Sequence, residues 1–269
     1  MEQQFTNDEV AKAFDVDEPT YLGTGSFGET WLVNGRAVKI MHNPGYNTER
    51  LEREIASHKR VNQRNVVKLY RGYQVRVGDA DRAALEFEYI DGGSLSRAIS
   101  VGKITSDELR GLAQGLLDGI EALHRANLLH RDIKPDNIAL RSGDISAPVI
   151  LDLGLAKLLD IESITRYPAR IGTPMYMAPE QLRGERALKM SDLWAVGVVL
   201  YETLTGRHPF MGVGESLTID EALARMQTGP EIPDETDADL AELILKCLSN
   251  PAYKRGTVTR ARSIIRERG

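Results

Sequence analysis

The sequence predicts an α+β fold built as two lobes, a small β-rich one followed by a larger helical one. Within the small lobe, residues 21–90, residues 21–40 alternate glycines with β-prone segments, whereas the large lobe, residues 91–269, carries apolar side chains at helical spacing. The boundary is placed at residues 91–94, Asp-Gly-Gly-Ser, which break both patterns. Residues 1–20 form an acidic, amphipathic lead-in. A cleft between two such lobes is the expected place for a ligand.

A tight hairpin is predicted early in the small lobe. Asn34 and Gly35 separate two β-prone runs, residues 31–33 and 37–40. An Asn-Gly pair favours a type I′ turn because both positions need positive φ.

One helix and two further strands complete the small lobe. The helix is predicted to begin at Asn47 or Thr48, either of which can cap it, and to end near Val61. The strands are predicted over residues 66–77 and 83–89, with a polar turn between them.

The large lobe is predicted to be helical. Thr105 and Glu108 have the spacing of a capping box, and apolar residues follow at helical intervals over residues 109–120. Further helices are predicted over residues 191–204, 219–226, 237–248 and 257–266.

Composition narrows the class of protein. With 269 residues, 42% hydrophobic and 27% charged, the chain resembles a soluble globular protein with a sizeable core. A net charge of −5 disfavours nucleic acid as a partner, and the single cysteine, Cys247, fits a reducing compartment.

Residues 1–17 lack the apolar run of a signal peptide, and the most apolar stretch, residues 193–204, is too short to span a bilayer. The prediction is a cytoplasmic chain with no membrane segment; its oligomeric state, and whether it belongs to a longer protein, stay open.

Residues 23–28 read Gly-Thr-Gly-Ser-Phe-Gly, a G-x-G-x-x-G motif. Dinucleotide-binding folds use the same motif, but there a helix follows it. Here the β-prone residues 30–33 follow. The motif therefore indicates a glycine-rich hairpin that lays its backbone over phosphates, with an ordinary glycine-rich hairpin as the alternative.

The most informative stretch is residues 130–137, His-Arg-Asp-Ile-Lys-Pro-Asp-Asn, followed by Asp-Leu-Gly at residues 152–154. Phosphoryl transfer needs a carboxylate at the acceptor hydroxyl and oxygen ligands for magnesium beside the phosphate. These residues resemble the catalytic loop and metal-binding motif of the eukaryotic-type (Hanks-type) protein kinases, which have bacterial members.

The resemblance implies roles for four polar residues of these motifs. Asp132 is the expected catalytic base, and Lys134 is expected to neutralise charge near the γ-phosphate. Asn137 and Asp152 are the expected ligands of Mg²⁺, with Mn²⁺ as an alternative ion.

Lys39 occupies the place of the family's lysine that grips the α- and β-phosphates, and it is counted among the catalytic residues. Its expected partner is a helix glutamate, for which Glu49, Glu52 and Glu54 compete. Glu54 is favoured because it lies on the inward face of the predicted helix, at the family's usual interval before the next strand.

The remaining nucleotide contacts follow from the same resemblance. Phe87 is the expected gatekeeper, and the backbone of Glu88 and Ile90 is expected to face the adenine. Thr30 and Ala139 replace the larger apolar residues that usually enclose the adenine, which predicts a roomier and more polar slot. The full set of expected nucleotide contacts is Leu22, Gly23, Thr24, Gly25, Ser26, Phe27, Gly28, Thr30, Ala37, Lys39, Glu54, Phe87, Glu88, Ile90, Asn137, Ala139 and Asp152.

Residues 172–180, Gly-Thr-Pro-Met-Tyr-Met-Ala-Pro-Glu, resemble the end of the kinase activation segment. Together with Lys134 this segment implies serine and threonine, rather than tyrosine, as acceptors. The resemblance also implies a buried ion pair between Glu180 and Arg255, and backbone hydrogen bonds from the catalytic loop to Asp192.

Arg131, the arginine before the expected base, marks family members that are switched on by phosphorylation. The family's most frequent phosphosite position holds Ala169 here, which leaves Ser163, Thr165 and Tyr167 as candidates, with Thr165 favoured. Whether phosphorylation is required stays open.

The sequence thus predicts a serine/threonine protein kinase that transfers the γ-phosphoryl of ATP to protein hydroxyls, its own included. One alternative is a pseudokinase that serves as a nucleotide-binding scaffold, and another is a phosphotransferase for small molecules. The presence of Lys39, Asp132 and Asp152 disfavours the first, and the complete segment 172–180 disfavours the second.

Overall fold

The computed structural model describes residues 3–25, 28–44, 52, 55–56, 58–102, 104–151, 174–212 and 214–266. These residues divide into two compact units. The β-rich unit contains the described residues up to 62 together with 67–89, and the helical unit contains residues 63–66 and those from 90 onward. The predicted α+β arrangement, β-rich first and helical afterwards, is confirmed.

The β-rich unit is built on a five-stranded antiparallel sheet in the order β1-β2-β3-β5-β4. Its strands are β1 (Thr20–Thr24), β2 (Gly28–Val33), β3 (Arg36–Met41), β4 (Leu69–Val77) and β5 (Ala80–Glu88). Asn34 and Gly35, with φ of 50° and 72°, form the predicted tight turn between β2 and β3. A second turn, at Gly78 with φ of 64°, joins β4 to β5 as predicted.

One face of this sheet is covered by a helix that the sequence reading missed. Helix α1 (Asn7–Phe14) begins at a capping box, in which Glu9 N donates to Thr6 Oγ1 and Thr6 N donates to the Glu9 carboxylate. Val10 on α1 is fully buried and belongs to the same apolar cluster as Trp31 of β2. The lead-in is therefore part of the folded β-rich unit.

The helical unit is organised around a buried central helix. Its elements are α2 (Leu95–Val101), α3 (Ser106–Arg125), β6 (Ile138–Leu140), β7 (Pro148–Ile150), α4 (Pro179–Leu182), α5 (Lys189–Thr205), α6 (Ile219–Thr228), α7 (Ala238–Cys247) and α8 (Val258–Arg266). Helix α5 is buried along most of its length, and α3 and α7 pack against it. Gly197 lets α7 approach, because an added Cβ would lie 2.7 Å from the Cβ of Cys247. Cys247 is buried as predicted, and burial raises the pKa of its thiol to about 12.

The predicted large-lobe helices agree with α5 to α8 within two residues at either end. The predicted capping box is present at the start of α3, where Thr105 N donates to Glu108 Oε2 over 2.8 Å. The helix predicted from residue 47 or 48 lies mostly outside the described residues, although Ile55 and His58 are helical. Among the described helices, none combines the length and the apolar character that a membrane crossing requires.

Candidate active site

The glycine-rich motif forms the turn between β1 and β2. Gly25 N donates to Gly28 O over 2.9 Å, which closes the turn. Gly28 must be glycine, because a Cβ there would collide with the carbonyl oxygen of Ile40 on β3. Gly23 has φ of 152° and lies where the pairing of β1 with β2 is irregular. The predicted hairpin, with no helix after the motif, is therefore confirmed.

Lys39 lies on β3 with only 8% of its surface exposed. It is paired with Thr30 on β2, and two residues earlier Ala37 is paired with Leu32. Because side chains alternate along a strand, Thr30, Ala37 and Lys39 lie on one face of the sheet, opposite the face that carries Trp31. The register thus places three of the expected nucleotide contacts on the same surface.

The expected hinge, residues 87–90, includes the last two residues of β5. Phe87 is 7% exposed and is paired with Ala37, so both belong to the face that carries Lys39. Glu88 N donates to Lys68 O over 2.9 Å, and Ile90 is the first residue after the β-rich unit.

Asp132 is the centre of the polar cluster in the helical unit. Lys134 Nζ lies 3.2 Å from Asp132 Oδ2, and Asn137 Nδ2 donates to the same oxygen over 3.0 Å. A second bond joins Asn137 Nδ2 to the backbone carbonyl of Asp132 over 2.8 Å. The side chain of Asp132 is about one-third exposed, so its carboxylate is fixed in direction while remaining accessible.

The backbone around Asp132 is held by the buried His130. Asp132 N donates to His130 Nδ1 over 3.3 Å, so Nδ1 is the unprotonated ring nitrogen. Nε2 then carries the proton and donates to Leu151 O over 2.7 Å. This arrangement links the loop of Asp132 to the chain immediately before Asp152.

Asp192, at the start of α5, holds the same loop from the other side. Its Oδ1 accepts Arg131 N over 2.9 Å, and its Oδ2 accepts His130 N over 3.1 Å and His124 Nε2 over 2.8 Å. The backbone bonds predicted for Asp192 are confirmed. They hold Arg131 at φ of 65°, a left-handed conformation that non-glycine residues rarely adopt.

An Asp192→Asn variant is expected to lose about 1–3 kcal/mol of unfolding free energy, because an amide can replace only one of the two acceptor oxygens and leaves buried donors unsatisfied. Urea titration followed by circular dichroism measures the loss. Asp136→Asn, at an exposed aspartate of the same loop, is the matched control. Coincident unfolding curves for the two variants would contradict the anchoring role.

Asn137 and the segment before Asp152 are brought together by the β6–β7 hairpin. Leu151 N donates to Asn137 O over 2.8 Å, and Ala139 on β6 is paired with Val149 on β7. The pairing places Asn137 next to the residue that precedes Asp152. The amide oxygen of Asn137 and the carboxylate of Asp152 are both hard oxygen donors. Together with phosphate oxygens they are the kind of ligands that magnesium prefers.

The end of the activation segment is fixed to the helical unit by two side-chain contacts. His208 Nε2 donates to Met175 O over 2.9 Å, and Tyr176 OH donates to Glu202 Oε2 over 2.6 Å. Burial lowers the pKa of His208 to about 4, so the ring stays neutral at pH 7.

Glu180 and Arg255 form the predicted ion pair. The Arg255 guanidinium donates to both carboxylate oxygens, over 2.7 Å and 3.0 Å, and Ser191 Oγ donates to Glu180 Oε1 over 2.7 Å. The pair is buried and joins α4 to the turn before α8.

Several predicted site residues lie outside the part of the chain that the structure describes. They are Ser26, Phe27, Glu54, Asp152, residues 172–173 of the expected activation segment and the candidate phosphosites Ser163, Thr165 and Tyr167.

Sequence reasoning missed His124, His208 and the buried Glu29 on β2. Only Glu29 carried a local signal, because it shares the inward side of an alternating strand with Trp31 and Val33. The two histidines act through contacts distant in the sequence, which no local pattern indicates.

Comparison with known proteins identifies the family. Residues 17–265 match the family described as "Protein kinase domain". The probable serine/threonine-protein kinase PkwA of Thermomonospora curvata is 36% identical over 242 residues, which cover 84% of this chain and 30% of that protein. Calcium-dependent protein kinase 5 of Plasmodium falciparum is 32% identical over 263 residues, covering 92% of this chain and 44% of that protein. The chain thus spans less than half the length of these two relatives.

The fold also matches that of a solved structure. The crystal structure of Rad53 1-466 in complex with AMP-PNP matches with a TM-score of 0.72 and 25% identity, over 93% of this chain and 64% of that one. The β-rich unit with its glycine-rich turn and the helical unit with its catalytic loop correspond to the two-lobed α+β architecture predicted from the sequence. With nearly its whole length matched, this chain belongs to the protein kinase domain family.

Proposed function

We propose that this chain is a serine/threonine protein kinase domain that transfers the γ-phosphoryl of ATP to hydroxyl groups of proteins. The observation that carries the proposal is the convergence of Lys134 and Asn137 on one carboxylate oxygen of Asp132. The names of both curated relatives as protein kinases support it.

Each part of the site has a distinct task in this proposal. Asp132 orients the acceptor hydroxyl and takes its proton as the oxygen attacks the γ-phosphorus and the bond to ADP breaks. Lys134 stabilises the charge that develops on the transferred group. Lys39 holds the α- and β-phosphates. Asn137 and Asp152 would hold Mg²⁺, which would supply positive charge to the phosphates during transfer.

The proposed partners are proteins with serine or threonine acceptors rather than nucleic acid, in keeping with the net charge of −5. The buried, protonated thiol of Cys247 agrees with a reducing compartment, and we place the domain in the cytoplasm.

A phosphorylation assay with labelled ATP, Mg²⁺ and a generic basic protein tests the proposal. Phosphoserine and phosphothreonine are the expected products, on the substrate and on the domain itself. Phosphotyrosine as the main product, or nucleotide binding with no transfer at any protein concentration, would contradict it and support the scaffold alternative.

A Lys39→Met variant is expected to reduce kcat/KM by about 10²–10³-fold, because it removes a fixed positive charge from the phosphates. Lys68→Met is the matched control, since Lys68 is an exposed lysine of the same unit whose ammonium lies 5.3 Å from the Tyr70 ring. Initial rates over a range of ATP concentrations give both parameters. Equal rates for the two variants would remove Lys39 from the proposed site.

A further inference from the structure

Glu29 is a buried carboxylate immediately after the last glycine of the glycine-rich turn. The exposed fraction of Glu29 is 0%, and the residue lies on β2 among apolar side chains. The carboxylate accepts backbone N–H groups from Gln4 and Phe5, the latter over 3.3 Å. A buried carboxylate without hydrogen-bond donors would destabilise the folded protein. The backbone N–H groups of residues 4 and 5 supply such donors to Glu29.

Apolar packing strengthens the same attachment. Phe5 is 3% exposed and belongs with Val10 to the cluster that covers Trp31 on the sheet. The guanidinium of Arg82 lies 4.8 Å from the centre of the Phe5 ring. Residues 3–14, which we call the strap, are therefore fixed to β2 by hydrogen bonds and to the sheet by apolar contact.

The position of Glu29 connects the strap to the glycine-rich turn. Glu29 is paired with Thr24 at the end of β1 and with Ile40 on β3, and Gly28 directly precedes it. Thr30, the next residue, points to the opposite face, which carries Lys39. A shift of Glu29 thus moves both the turn and the strand that follows it.

We propose that the strap, held through Glu29, fixes the described flanks of the glycine-rich turn, residues 23–25 and Gly28, where the phosphates of ATP bind. Glu29 is then a positioning residue for the nucleotide, and release of the strap lowers ATP affinity. This inference rests on the proposed function, in which the turn covers the phosphates.

Two variants test the strap by weakening different interactions, its hydrogen bonds and its apolar contact. Glu29→Gln replaces the carboxylate that accepts both N–H groups, and Phe5→Ala removes apolar contact without altering the sheet itself. Glu86→Gln is the matched control, because Glu86 lies on β5 of the same sheet and pairs instead with two solvent-accessible arginines, Arg36 and Arg71.

Hydrogen exchange of the nucleotide-free protein and MgATP titration calorimetry are the measurements. Both strap variants are expected to exchange faster than the control over residues 3–6 and 20–30, and to bind MgATP about three- to tenfold more weakly through lost preorganisation. The KM for ATP should rise by the same factor with kcat unchanged, which a general loss of folding would not produce.

The outcomes separate this inference from the proposed function. Faster exchange over residues 3–6 with control-like exchange over residues 20–30 and control-like MgATP affinity would overturn the positioning role. Failure of the unmodified protein to bind MgATP would overturn the proposed function, whereas the exchange comparison would still decide whether the strap orders the turn.

Discussion

The Asp132→Asn variant is expected to lose about 10²–10⁴-fold in kcat for phosphate transfer to a protein hydroxyl. The amide that replaces the carboxylate cannot accept the hydroxyl proton, and it removes the negative charge that orients Lys134 from 3.2 Å. Initial rates at saturating MgATP and protein substrate measure the loss.

The loop around Asp132 should survive this substitution. Asn137 Nδ2 also donates to the backbone carbonyl of Asp132 over 2.8 Å, and His130 Nδ1 accepts the backbone N–H of the same residue. These bonds do not involve the side chain that is replaced. MgATP affinity is therefore expected to stay within about twofold of the unmodified protein, because the proposed nucleotide contacts are left in place.

Asp136→Asn is the matched control for the rate, since it makes the same chemical change on an exposed aspartate in the same loop. Its kcat should equal that of the unmodified protein. If Asp132→Asn also retained full kcat, Asp132 would be excluded as the base and the acceptor hydroxyl would have to lose its proton by another route.

The predictions from local patterns were the most accurate because the interactions behind them are local. The Asn34-Gly35 turn depends only on the φ angles of adjacent residues, and the Thr105–Glu108 capping box joins residues three apart. The bounds of α5 to α8 followed from the spacing of apolar residues for the same reason.

Contacts between distant residues were predictable only where the family resemblance supplied them. The Glu180–Arg255 pair and the bonds from the catalytic loop to Asp192 were found in this way. No such guide existed for Glu29 and Phe5, whose contact depends on how the strap packs on the sheet. Residues 1–20 were predicted only as an acidic, amphipathic lead-in, whereas the buried Phe5 and Val10 decide its packing.

The Arg255→Met variant is expected to lose about 3–5 kcal/mol of unfolding free energy at pH 7, because it leaves the buried Glu180 carboxylate without its counter-ion. Arg255 also donates to the Ser249 carbonyl over 2.9 Å, and this bond is lost as well. Urea unfolding followed by tryptophan fluorescence and circular dichroism gives the free energies.

The pH dependence of this loss identifies its cause. Burial tends to raise the pKa of Glu180, but hydrogen bonds from Arg255 and Ser191 outweigh burial and hold the pKa below its ordinary value. The carboxylate therefore stabilises the folded protein above the pKa it has in the unfolded chain, and this contribution is lost as the pH falls through the lower folded value. In Arg255→Met the hydrogen bonds from Arg255 no longer offset the effect of burial on the pKa of Glu180. The Glu180 carboxylate is therefore protonated at a higher pH than in the unmodified protein. The stability difference between the two proteins should consequently shrink from pH 7 towards pH 4.

Arg225→Met tests whether burial, rather than the ion pair itself, sets the size of the loss. Arg225 donates to both carboxylate oxygens of Glu215 over 2.6 and 2.7 Å, nearly the geometry of the Glu180 pair. The side chains of Arg225 and Glu215 are 43% and 34% exposed, whereas those of Arg255 and Glu180 are 0% and 6% exposed. Because water already solvates these exposed charges, the loss of unfolding free energy for Arg225→Met should be much smaller than the loss for Arg255→Met. Equal losses of unfolding free energy for the two variants would mean that the two hydrogen bonds of the pair, and not the burial of Glu180, account for its contribution to stability.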